Sequence, residues 1–459
     1  MKRILALAFL LLSSPAFSQP AIPDTNAGRA MALWLQIMDS GDVSLMERYN
    51  TAYHRNLDPN EVDTFRALNG GGYRLDRIEQ NEPNNLVAIL VERDTGDQVR
   101  RTFFLDPADP TRALNFSGKK LPAQRLSQTE ALAALSRRGD VLATKDFFSG
   151  GVLVAQDGKI ALEKFWGKAD RASGKANTRT TRFRMGSMNK MFTAVAALQL
   201  VVQGKLSLDG TVGQYLRDYP NKEIAAKVTI RHLLTHAGGT GDFFGPDFEK
   251  HRLTLLKNNA DYVTFFGSRA PLFTPGSERR YSNYGMILLG HIVQIVSGED
   301  YYAYIDRHIF APAGMTRSGS LPENETVLDR ATGYMRQKGG WVSNAGMLPW
   351  RASAAGGGYS TLEDMLKFAR ALESGKLLPK NLLEQASTPQ IQENWYGFGF
   401  GLGGEDTARW YGHGGGAPGM NGDLRIYPKL GRVVVAFSNL DPPTAGALVE
   451  YYERRMPLN

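Results

Sequence analysis

The feature that most constrains the fold is a nearly uncharged run of residues 191–202, which directly follows Lys190. A helix that is apolar on almost every face lies inside a protein rather than on its surface. Gly204 predicts the end of this helix. The chain must therefore build a core around a whole helix. Its 459 residues, 42% of them hydrophobic, are enough for two or three domains.

The start of this helix carries a hydroxyl and an amine, on Ser187 and Lys190. Residues three apart share one helix face, so the two side chains can meet at the helix N-terminus. A serine is a poor nucleophile until a base takes its proton, and a desolvated lysine with a lowered pKa can act as that base. The free N–H groups of the first turn can stabilise an oxyanion. The pattern predicts a nucleophile at Ser187.

The same Ser-x-x-Lys pattern occurs a second time, at Ser117 and Lys120. That copy lies in a segment rich in glycine, lysine and proline, and no apolar run follows it. We interpret it as a solvent-exposed turn. The pattern is therefore informative only at Ser187, where the buried helix follows.

Two later motifs carry groups that would serve such a nucleophile. Residues 281–283 place Tyr281 and Asn283 just before a predicted helix. A phenol can pass a proton to a leaving group, and an amide can hold a substrate carbonyl. Residues 413–416 consist of His413 and three glycines, which let a backbone approach a ligand closely and offer bare N–H groups.

Each later motif has a second copy elsewhere, Tyr219-x-Asn221 and His236-x-Gly238, so neither motif is specific by itself. The order of the three motifs along the chain is more informative. His232 and His236 have a spacing that occurs in zinc-binding helices, but no glutamate lies between them and no third ligand is evident. We interpret them as structural, and the sequence predicts no metal and no cofactor.

Sheet-forming segments occur at both ends of the region 140–459. Apolar runs on either side of an Asp-Gly pair at residues 157–158 predict a β-hairpin. Residues 424–427 and 433–438 predict two later strands, and residues 206–349 predict mainly helical structure. We therefore predict an α/β (α+β) fold, in which an interrupted antiparallel sheet is flanked by helices and joined by a helical lobe.

Residues 24–120 predict a separate small α+β domain, with helices followed by antiparallel strands. This architecture and the start of the second helix at residues 40–42 resemble the cone-shaped nuclear transport factor 2-like fold. The resemblance implies a helper domain for binding or dimerisation, so we expect a homodimer through this domain. Residues 114–139 are polar and basic and contain a predicted helix at residues 129–137; within them, residues 121–139 are predicted to form a linker.

The first 18 residues combine a basic start, a short apolar run and small residues before Ser18. This is typical of a secretory signal peptide cleaved after that serine, so we expect a periplasmic or secreted protein. The chain has no cysteine, which excludes disulfides and a thiol nucleophile. Its net charge of +8 comes with only isolated basic pairs, so no nucleic-acid partner is expected. No later apolar run is long enough for a membrane span in the mature protein.

Residues from about 140 to 455 resemble the serine β-lactamase-related family. This family groups class C β-lactamases, D-alanyl-D-alanine carboxypeptidases, D-aminopeptidases and certain esterases. Beyond the three motifs, further stretches match in order, at residues 229–236, 281–285, 310–315 and 356–361. The resemblance implies a β-lactamase/transpeptidase-like fold and an acyl-enzyme mechanism.

The resemblance also implies roles for individual residues. Ser187 would be acylated, and Lys190 and Tyr281 would share the proton transfers. Asn283 would hold the substrate. The backbone N–H groups of Ser187 and Gly416 would form the oxyanion hole.

The resemblance assigns His413, Gly414 and Gly415 to substrate binding, at the place where β-lactamases carry Lys-Thr-Gly. A permanent ammonium is thereby replaced by an imidazole that is mostly neutral at pH 7, and a threonine hydroxyl is lost. Both groups normally help to anchor the carboxylate of penicillins or peptides. We therefore expect an exported esterase or D-amino-acid amidase that acts on a small-molecule or peptide substrate.

Two alternatives stay open. The first is a D,D-carboxypeptidase or weak β-lactamase that acts on cell-wall peptides, with His413 as the discriminating residue. The second is a non-catalytic binding or sensor protein with a hydrolase fold. The intact Ser187, Lys190 and Tyr281 argue against this second alternative.

Overall fold

The computed structural model describes residues 20–338, 340–390 and 395–459. The chain divides into two compact units, Met1–Ala123 and Gln124–Asn459. The predicted signal peptide lies outside the described residues and stays a prediction. In the described part of the chain, no helix combines the length and the hydropathy needed to cross a membrane.

The first unit has helices followed by an antiparallel sheet. In chain order its elements are α1 (Asn26–Ser40), α2 (Val43–Tyr53), α3 (Pro59–Leu68), β1 (Tyr73–Glu82), β2 (Asn85–Glu92), β3 (Gln98–Leu105) and β4 (Ala113–Lys120). The strands pair in sequence order, each antiparallel to the next. This element order is the one that the sequence predicts. The resemblance to a nuclear transport factor 2-like fold and the homodimer stay predictions.

The core of the first unit forms where α1 crosses the sheet. Trp34 of α1 packs against Tyr73 of β1 and Phe103 of β3, with ring centroids 5.2 and 5.8 Å apart. Helix α1 can end sharply because Gly41 adopts the left-handed conformation, with φ of 71°, and its N–H bonds to the Ile37 carbonyl. The burial of these large rings holds the helices on the sheet.

The second unit begins with a helix and a hairpin and continues through many short elements. They are α4 (Gln128–Thr144), β5 (Gly150–Gln156), β6 (Lys159–Trp166), β7 (Lys168–Asp170), β8 (Lys175–Ala176), β9 (Phe183–Arg184), α5 (Asn189–Val202), α6 (Val212–Tyr215), α7 (Lys222–Lys227), α8 (Ile230–Leu234), α9 (Pro246–His251), α10 (Asn259–Phe266), α11 (Asn283–Ser297), α12 (Tyr301–Ile305) and α13 (Ala311–Ala313). The remainder are β10 (Tyr334–Gln337), β11 (Gly340–Ser343), β12 (Tyr359–Ser360), α14 (Leu362–Glu373), α15 (Lys380–Ala386), β13 (Gly401–Gly403), β14 (Trp410–Ala417), β15 (Met420–Tyr427), β16 (Arg432–Ser438) and α16 (Thr444–Glu453).

The main sheet of the second unit has six described strands in the order β13-β14-β15-β16-β5-β6. Every neighbouring pair is antiparallel. The chain leaves the sheet after β6, builds the helical region and returns at β13. Helices α14 and α16 pack against this sheet. The predicted interrupted antiparallel sheet with flanking helices is confirmed.

Helix α5 is the buried helix that the apolar run predicts. Its residues 189–198 are all buried, and Phe192 contacts Phe310 and Phe368 edge-on, with ring centroids 5.0 and 4.8 Å apart. Helix α11 packs alongside it. A helix with no solvated face leaves only its ends for polar chemistry, and Lys190 lies at the N-terminal end.

The structure contains a helix in the segment 121–139, where the sequence predicts one over residues 129–137. Most of this segment belongs to α4, which starts at a capping box formed by Ser127 and Glu130. Asp140 of α4 accepts hydrogen bonds from Lys164 and Trp166 of β6, both at 2.7 Å. Leu135 and Arg138 are buried while Arg137 and Asp140 are exposed, so this amphipathic helix packs one face against the second unit. The role of the segment as a linker stays a prediction.

The structure places residues 413–416 inside β14, in a stretch where the sequence analysis predicts no strand. A strand rich in glycine is difficult to predict from the sequence, because glycine is depleted in sheets. Here glycine is required by a close approach. A Cβ on Gly415 would lie 1.9 Å from the Met185 carbonyl oxygen, which is too close for any side chain. The glycine strand therefore lets the segment before Ser187 cross the sheet surface.

Candidate active site

Ser187 lies in a short 3₁₀ turn, Gly186–Met188, that leads into α5. Gly186 adopts a left-handed conformation with φ of 54°. A Cβ added at Gly186 would lie 3.0 Å from the backbone nitrogen of Gly416, so this turn packs directly on β14. The backbone nitrogens of Ser187, at the start of a helix, and of Gly416, on β14, thus belong to segments in direct contact, which is compatible with an oxyanion hole.

Lys190 is fully buried, and its Nζ contacts three oxygen atoms. The distances are 3.0 Å to Ser187 Oγ, 2.7 Å to Asn283 Oδ1 and 2.5 Å to the Ala355 carbonyl oxygen. A neutral amine in this position would donate to the amide and carbonyl oxygens and accept from the Ser187 hydroxyl. The same contacts therefore suit both protonation states of the lysine.

The electrostatic environment makes the neutral form of Lys190 accessible near neutral pH. Burial lowers the pKa of Lys190 to about 7, although the negative charge of Asp242 acts in the opposite direction. Desolvation has this effect because it penalises the charged form of an amine. A lysine that loses its proton near neutral pH is chemically able to take the proton of the neighbouring hydroxyl.

Asp242 was not singled out by the sequence. Its Oδ2 accepts a hydrogen bond from Asn283 Nδ2 at 2.7 Å, which orients the amide so that Oδ1 contacts Lys190. The residue lies in a loop without a recognisable motif, far from the serine in the sequence. The only signal is an acidic residue beside glycines and phenylalanines, which is not specific.

Tyr281 lies immediately before α11, whose N-cap is Ser282; the Ser282 Oγ accepts the N–H of Gly285 at 2.8 Å. The Lys190 Nζ lies 4.6 Å from the Tyr281 ring centroid. Burial raises the pKa of Tyr281, and a hydrogen bond with the Ser187 side chain opposes that shift only in part. The phenol therefore stays protonated at neutral pH and can relay a proton rather than act as a phenolate base.

His413 is buried, and both of its ring nitrogens are occupied. Nδ1 lies 2.5 Å from the Gly414 carbonyl oxygen, and Nε2 lies 3.1 Å from the Tyr396 hydroxyl. These contacts assign the proton to Nδ1 and make Nε2 the acceptor from the phenol. Burial and the positive charge of Lys190 lower the pKa of His413 to about 4, so the ring is neutral at pH 7.

His236 is a further buried histidine beside these groups. Its ring centroid lies 4.5 Å from that of Tyr281 and 4.7 Å from that of Tyr396. Its Nδ1 accepts the N–H of Ser282 at 3.2 Å. The prediction of a structural role beside the site agrees with these contacts. Among the described residues, no group of three or more histidines, cysteines or carboxylates could hold a metal ion.

A cavity of about 380 Å³ opens beside Ser187. Most of its wall is apolar, from Phe243, Phe244, Phe248, Tyr262, Met347, Leu348, Pro349, Ala417, Pro418 and Met420. Glu249 is the only charged side chain among the described lining residues, and it pairs with Arg252 at 3.1 Å. The cavity therefore suits an apolar group attached to the reacting carbonyl.

The structure brings together five of the residues singled out by the sequence, because Ser187, Tyr281, Asn283 and Gly416 line this cavity and Lys190 lies directly behind Ser187. The other three are placed differently. His413, Gly414 and Gly415 are not among the described lining residues. Both ring nitrogens of His413 contact protein groups, so neither is free to make the predicted contact with a substrate.

The fold and this site define a serine hydrolase. Residues 134–455 match the family model described as Beta-lactamase. This match covers more than half of the 459 residues, and the chain belongs to that family.

Relatives and solved structures agree with the family assignment. A Bacillus subtilis protein named as a penicillin-binding protein is 33% identical over 297 residues, which cover 64% of this chain and 71% of that protein. The crystal structure of a penicillin-binding protein from Bacillus halodurans aligns with a TM-score of 0.62 at 33% identity, over 68% of this chain and 98% of that chain. A D-aminopeptidase from Brucella anthropi is 27% identical over 58% of this chain, which spans about half of that protein, 51%.

Proposed function

We propose that this chain is an exported serine hydrolase that forms an acyl-enzyme on Ser187 and cleaves esters or amides, including amides of D-amino acids. The observation that carries the proposal is the contact between the Ser187 hydroxyl and a buried Lys190 whose pKa is lowered to about 7. An adjacent base of this kind activates a serine. Export rests on the signal-peptide pattern in the first 18 residues.

The reaction follows from these positions. Lys190 takes the hydroxyl proton as Ser187 Oγ attacks the carbonyl carbon, and the oxyanion that develops is stabilised by the N–H groups of Ser187 and Gly416. Tyr281 passes the proton to the leaving alcohol or amine as the carbonyl–leaving-group bond breaks. A water molecule then attacks the acyl ester while its proton passes through Lys190 and Tyr281 to Ser187 Oγ, so that the bond from the acyl carbon to the serine oxygen breaks, the carboxylic acid is released and the serine hydroxyl is regenerated.

The apolar wall of the cavity favours a substrate ester or amide whose acyl group is apolar. A substrate carboxylate would need a cationic anchor, and no lysine or arginine lines the described part of the cavity. The neutral, engaged His413 does not supply one. The similarity to a D-aminopeptidase supports an amide of a D-amino acid as the substrate.

The second candidate is a D,D-carboxypeptidase or weak β-lactamase that acts on cell-wall peptides. It is favoured by the relatives that are named as penicillin-binding proteins. Nothing in the described cavity wall offers the carboxylate of such a substrate a positive charge, so we place this function second.

The test is to trap the acyl-enzyme. The full chain is incubated with a fluorophosphonate and with a panel of apolar esters, D-amino-acid amides and nitrocefin, and the adduct is located by intact-mass and peptide mapping. We expect one adduct, on the peptide that contains Ser187, with turnover of the esters or amides. Ser117 is an internal control, since it belongs to the second Ser-x-x-Lys copy and should remain unmodified.

The outcomes separate the candidates. Nitrocefin turnover that exceeds that of every ester and amide would favour the cell-wall function. A chain that forms no adduct with any compound would be a binding or sensor protein, and an adduct on another residue would overturn the assignment of Ser187.

Loss of the Tyr281 phenol is expected to have an intermediate effect on catalysis. Tyr281→Phe should lower kcat/KM by about 10²-fold, the lower end for loss of a general acid–base group, because proton relay to the leaving group is lost. Tyr219→Phe is the matched control. It removes the phenol of the other Tyr-x-Asn copy, which forms a hydrogen bond with the Tyr284 hydroxyl at 3.0 Å. Equal losses in steady-state assays of the two variants would contradict the assigned role.

A further inference from the structure

The first unit contains a cavity of its own, of about 260 Å³. Its floor consists of buried side chains, Trp34, Met38, Tyr49, Val62 and Phe103. Its rim carries the exposed residues Arg55, Asp58 and Glu61 from the α2–α3 connection and the start of α3. The cavity is thus open at a polar rim and apolar below it, which is the usual form of a small-molecule site.

One charged side chain interrupts the apolar wall. Arg101 lies on β3 between Val99 and Phe103, on the face that alternates toward the core. Its cross-strand neighbours are both small, Ala88 on β2 and Gly118 on β4. A Cβ on Gly118 would lie 2.5 Å from Arg101 Nη1, so the glycine makes room for the guanidinium.

Within the described part of the chain, this guanidinium has no anionic partner. Among the described residues, Arg101 makes no hydrogen bond and no ion pair, and its Nε is buried without a partner. It packs instead on aromatic rings, with Cζ 4.1 Å from the Trp34 ring centroid and 5.5 Å from that of Phe65. Burial lowers the pKa of Arg101, but a guanidinium stays charged in proteins. Arg101 is half-buried, and a guanidinium that is partly removed from water without a counter-charge favours the binding of an anion.

A second group that lines the same cavity is a buried phenol. The Tyr49 hydroxyl is buried and makes no hydrogen bond within the described residues. Burial raises the pKa of Tyr49, and the positive charges of Arg101 and Arg55 oppose that shift, so the phenol stays protonated and lies in the field of the guanidinium. It can therefore donate to the same anion as Arg101.

We propose that this cavity binds a small carboxylate with an aromatic body. The carboxylate would accept hydrogen bonds from the Arg101 guanidinium and the Tyr49 hydroxyl, as charge-assisted pairs. The ring would pack among Trp34, Phe65 and Phe116, which line the same cavity. The volume is just below the range of about 300–1,000 Å³ for ligand pockets, which limits the body to one or two rings. The proposal does not depend on the function of the second unit.

The first experiment needs no change in the cavity. The full chain carrying Ser187→Ala, which prevents turnover of the probes, is titrated with phenylacetate and indole-3-acetate and with the corresponding neutral amides. Binding is followed by calorimetry and by ligand-observed NMR. We expect both carboxylates to bind at least about tenfold more tightly than their amides, since a hydrogen bond to a charged group is the stronger one.

The second experiment changes the cation. Arg101→Gln should weaken carboxylate binding by about tenfold or more and remove the preference over the amide. Arg100→Gln is the matched control. Arg100 lies on the opposite face of the same strand, with a half-exposed side chain paired to Glu79 at 2.7 Å, and its loss should leave binding unchanged. Tyr49→Phe should weaken binding by about threefold to tenfold without altering the charge.

Several outcomes would overturn the proposal. They are equal binding of carboxylates and amides, no binding of either carboxylate at millimolar concentration, and equal losses in Arg101→Gln and Arg100→Gln. If Arg101→Gln does not fold, Tyr49→Phe decides, and unchanged carboxylate binding in that variant would mean that Arg101 only packs on aromatic rings.

Discussion

Replacement of Ser187 by alanine is expected to lower kcat/KM for ester or amide hydrolysis by about 10⁴-fold or more, since the nucleophile itself is lost. The fold should not change, because the partly exposed Ser187 contributes one hydroxyl to a turn that is held by Gly186 and by the backbone of β14. Steady-state kinetics with the best substrate of the panel, together with thermal unfolding, checks both expectations.

Ser117→Ala is the matched control for this variant. Ser117 lies on β4 of the first unit, where it is exposed, and it belongs to the same four-residue pattern. Its replacement should leave the rate within experimental error of the wild type. A Ser187→Ala enzyme that retains wild-type turnover, or a Ser117→Ala enzyme that loses it, would show that the nucleophile has been misassigned.

These two serines show how far sequence reasoning reaches. At Ser187 the following residues form a helix, so a lysine three positions on lies on the same face and its Nζ lies 3.0 Å from the hydroxyl. At Ser117 the chain is a strand, where residues three apart point to opposite faces of the sheet. The prediction depended on recognising the apolar helix, and the exposed turn expected for the second copy is an exposed strand instead.

The surroundings of Lys190 were not predictable in the same way. The Ala355 carbonyl contacts the lysine directly, whereas Asp242 acts on it through Asn283. Both come from loops distant in the sequence, and they lie near the lysine only because the helical region folds back on α5. Neither has a periodicity or a motif that marks it. Long-range convergence of this kind is set by tertiary packing, which a single sequence does not encode in any local pattern.

His413 shows a different limit. The resemblance placed a side chain at the right position in the chain and suggested that it binds substrate. The structure turns the imidazole to the Tyr396 hydroxyl and the Gly414 carbonyl, whereas Gly416 of the same strand lines the cavity. A family motif fixes where the backbone runs, but the hydrogen-bond partners of a side chain depend on residues such as Tyr396 that lie outside the motif.

The pH dependence of catalysis should report Lys190 directly. In the free enzyme kcat/KM should rise with pH through a midpoint near 7, because burial lowers the pKa of Lys190 to about 7 and only the neutral amine can accept the serine proton. Lys190→Met should lower kcat/KM by about 10³-fold, within the usual range for loss of a general base, and should remove this rising limb. Lys205→Met is the matched control, because Lys205 is an exposed lysine beyond the same helix; this variant should keep the wild-type kcat/KM and its rise with pH.

The same pKa shift predicts a change in stability. The unfolded chain protonates this lysine near its ordinary pKa of 10.5, whereas the folded protein does so only near 7. Between these values the unfolded state binds more protons, so this residue makes the free energy of unfolding rise with pH across that window. Lys190→Met should flatten this rise in denaturant titrations.

Lys190→Arg tests the proton transfer itself, because arginine keeps a cation that does not deprotonate. Full activity in that variant would show that charge rather than proton transfer is required.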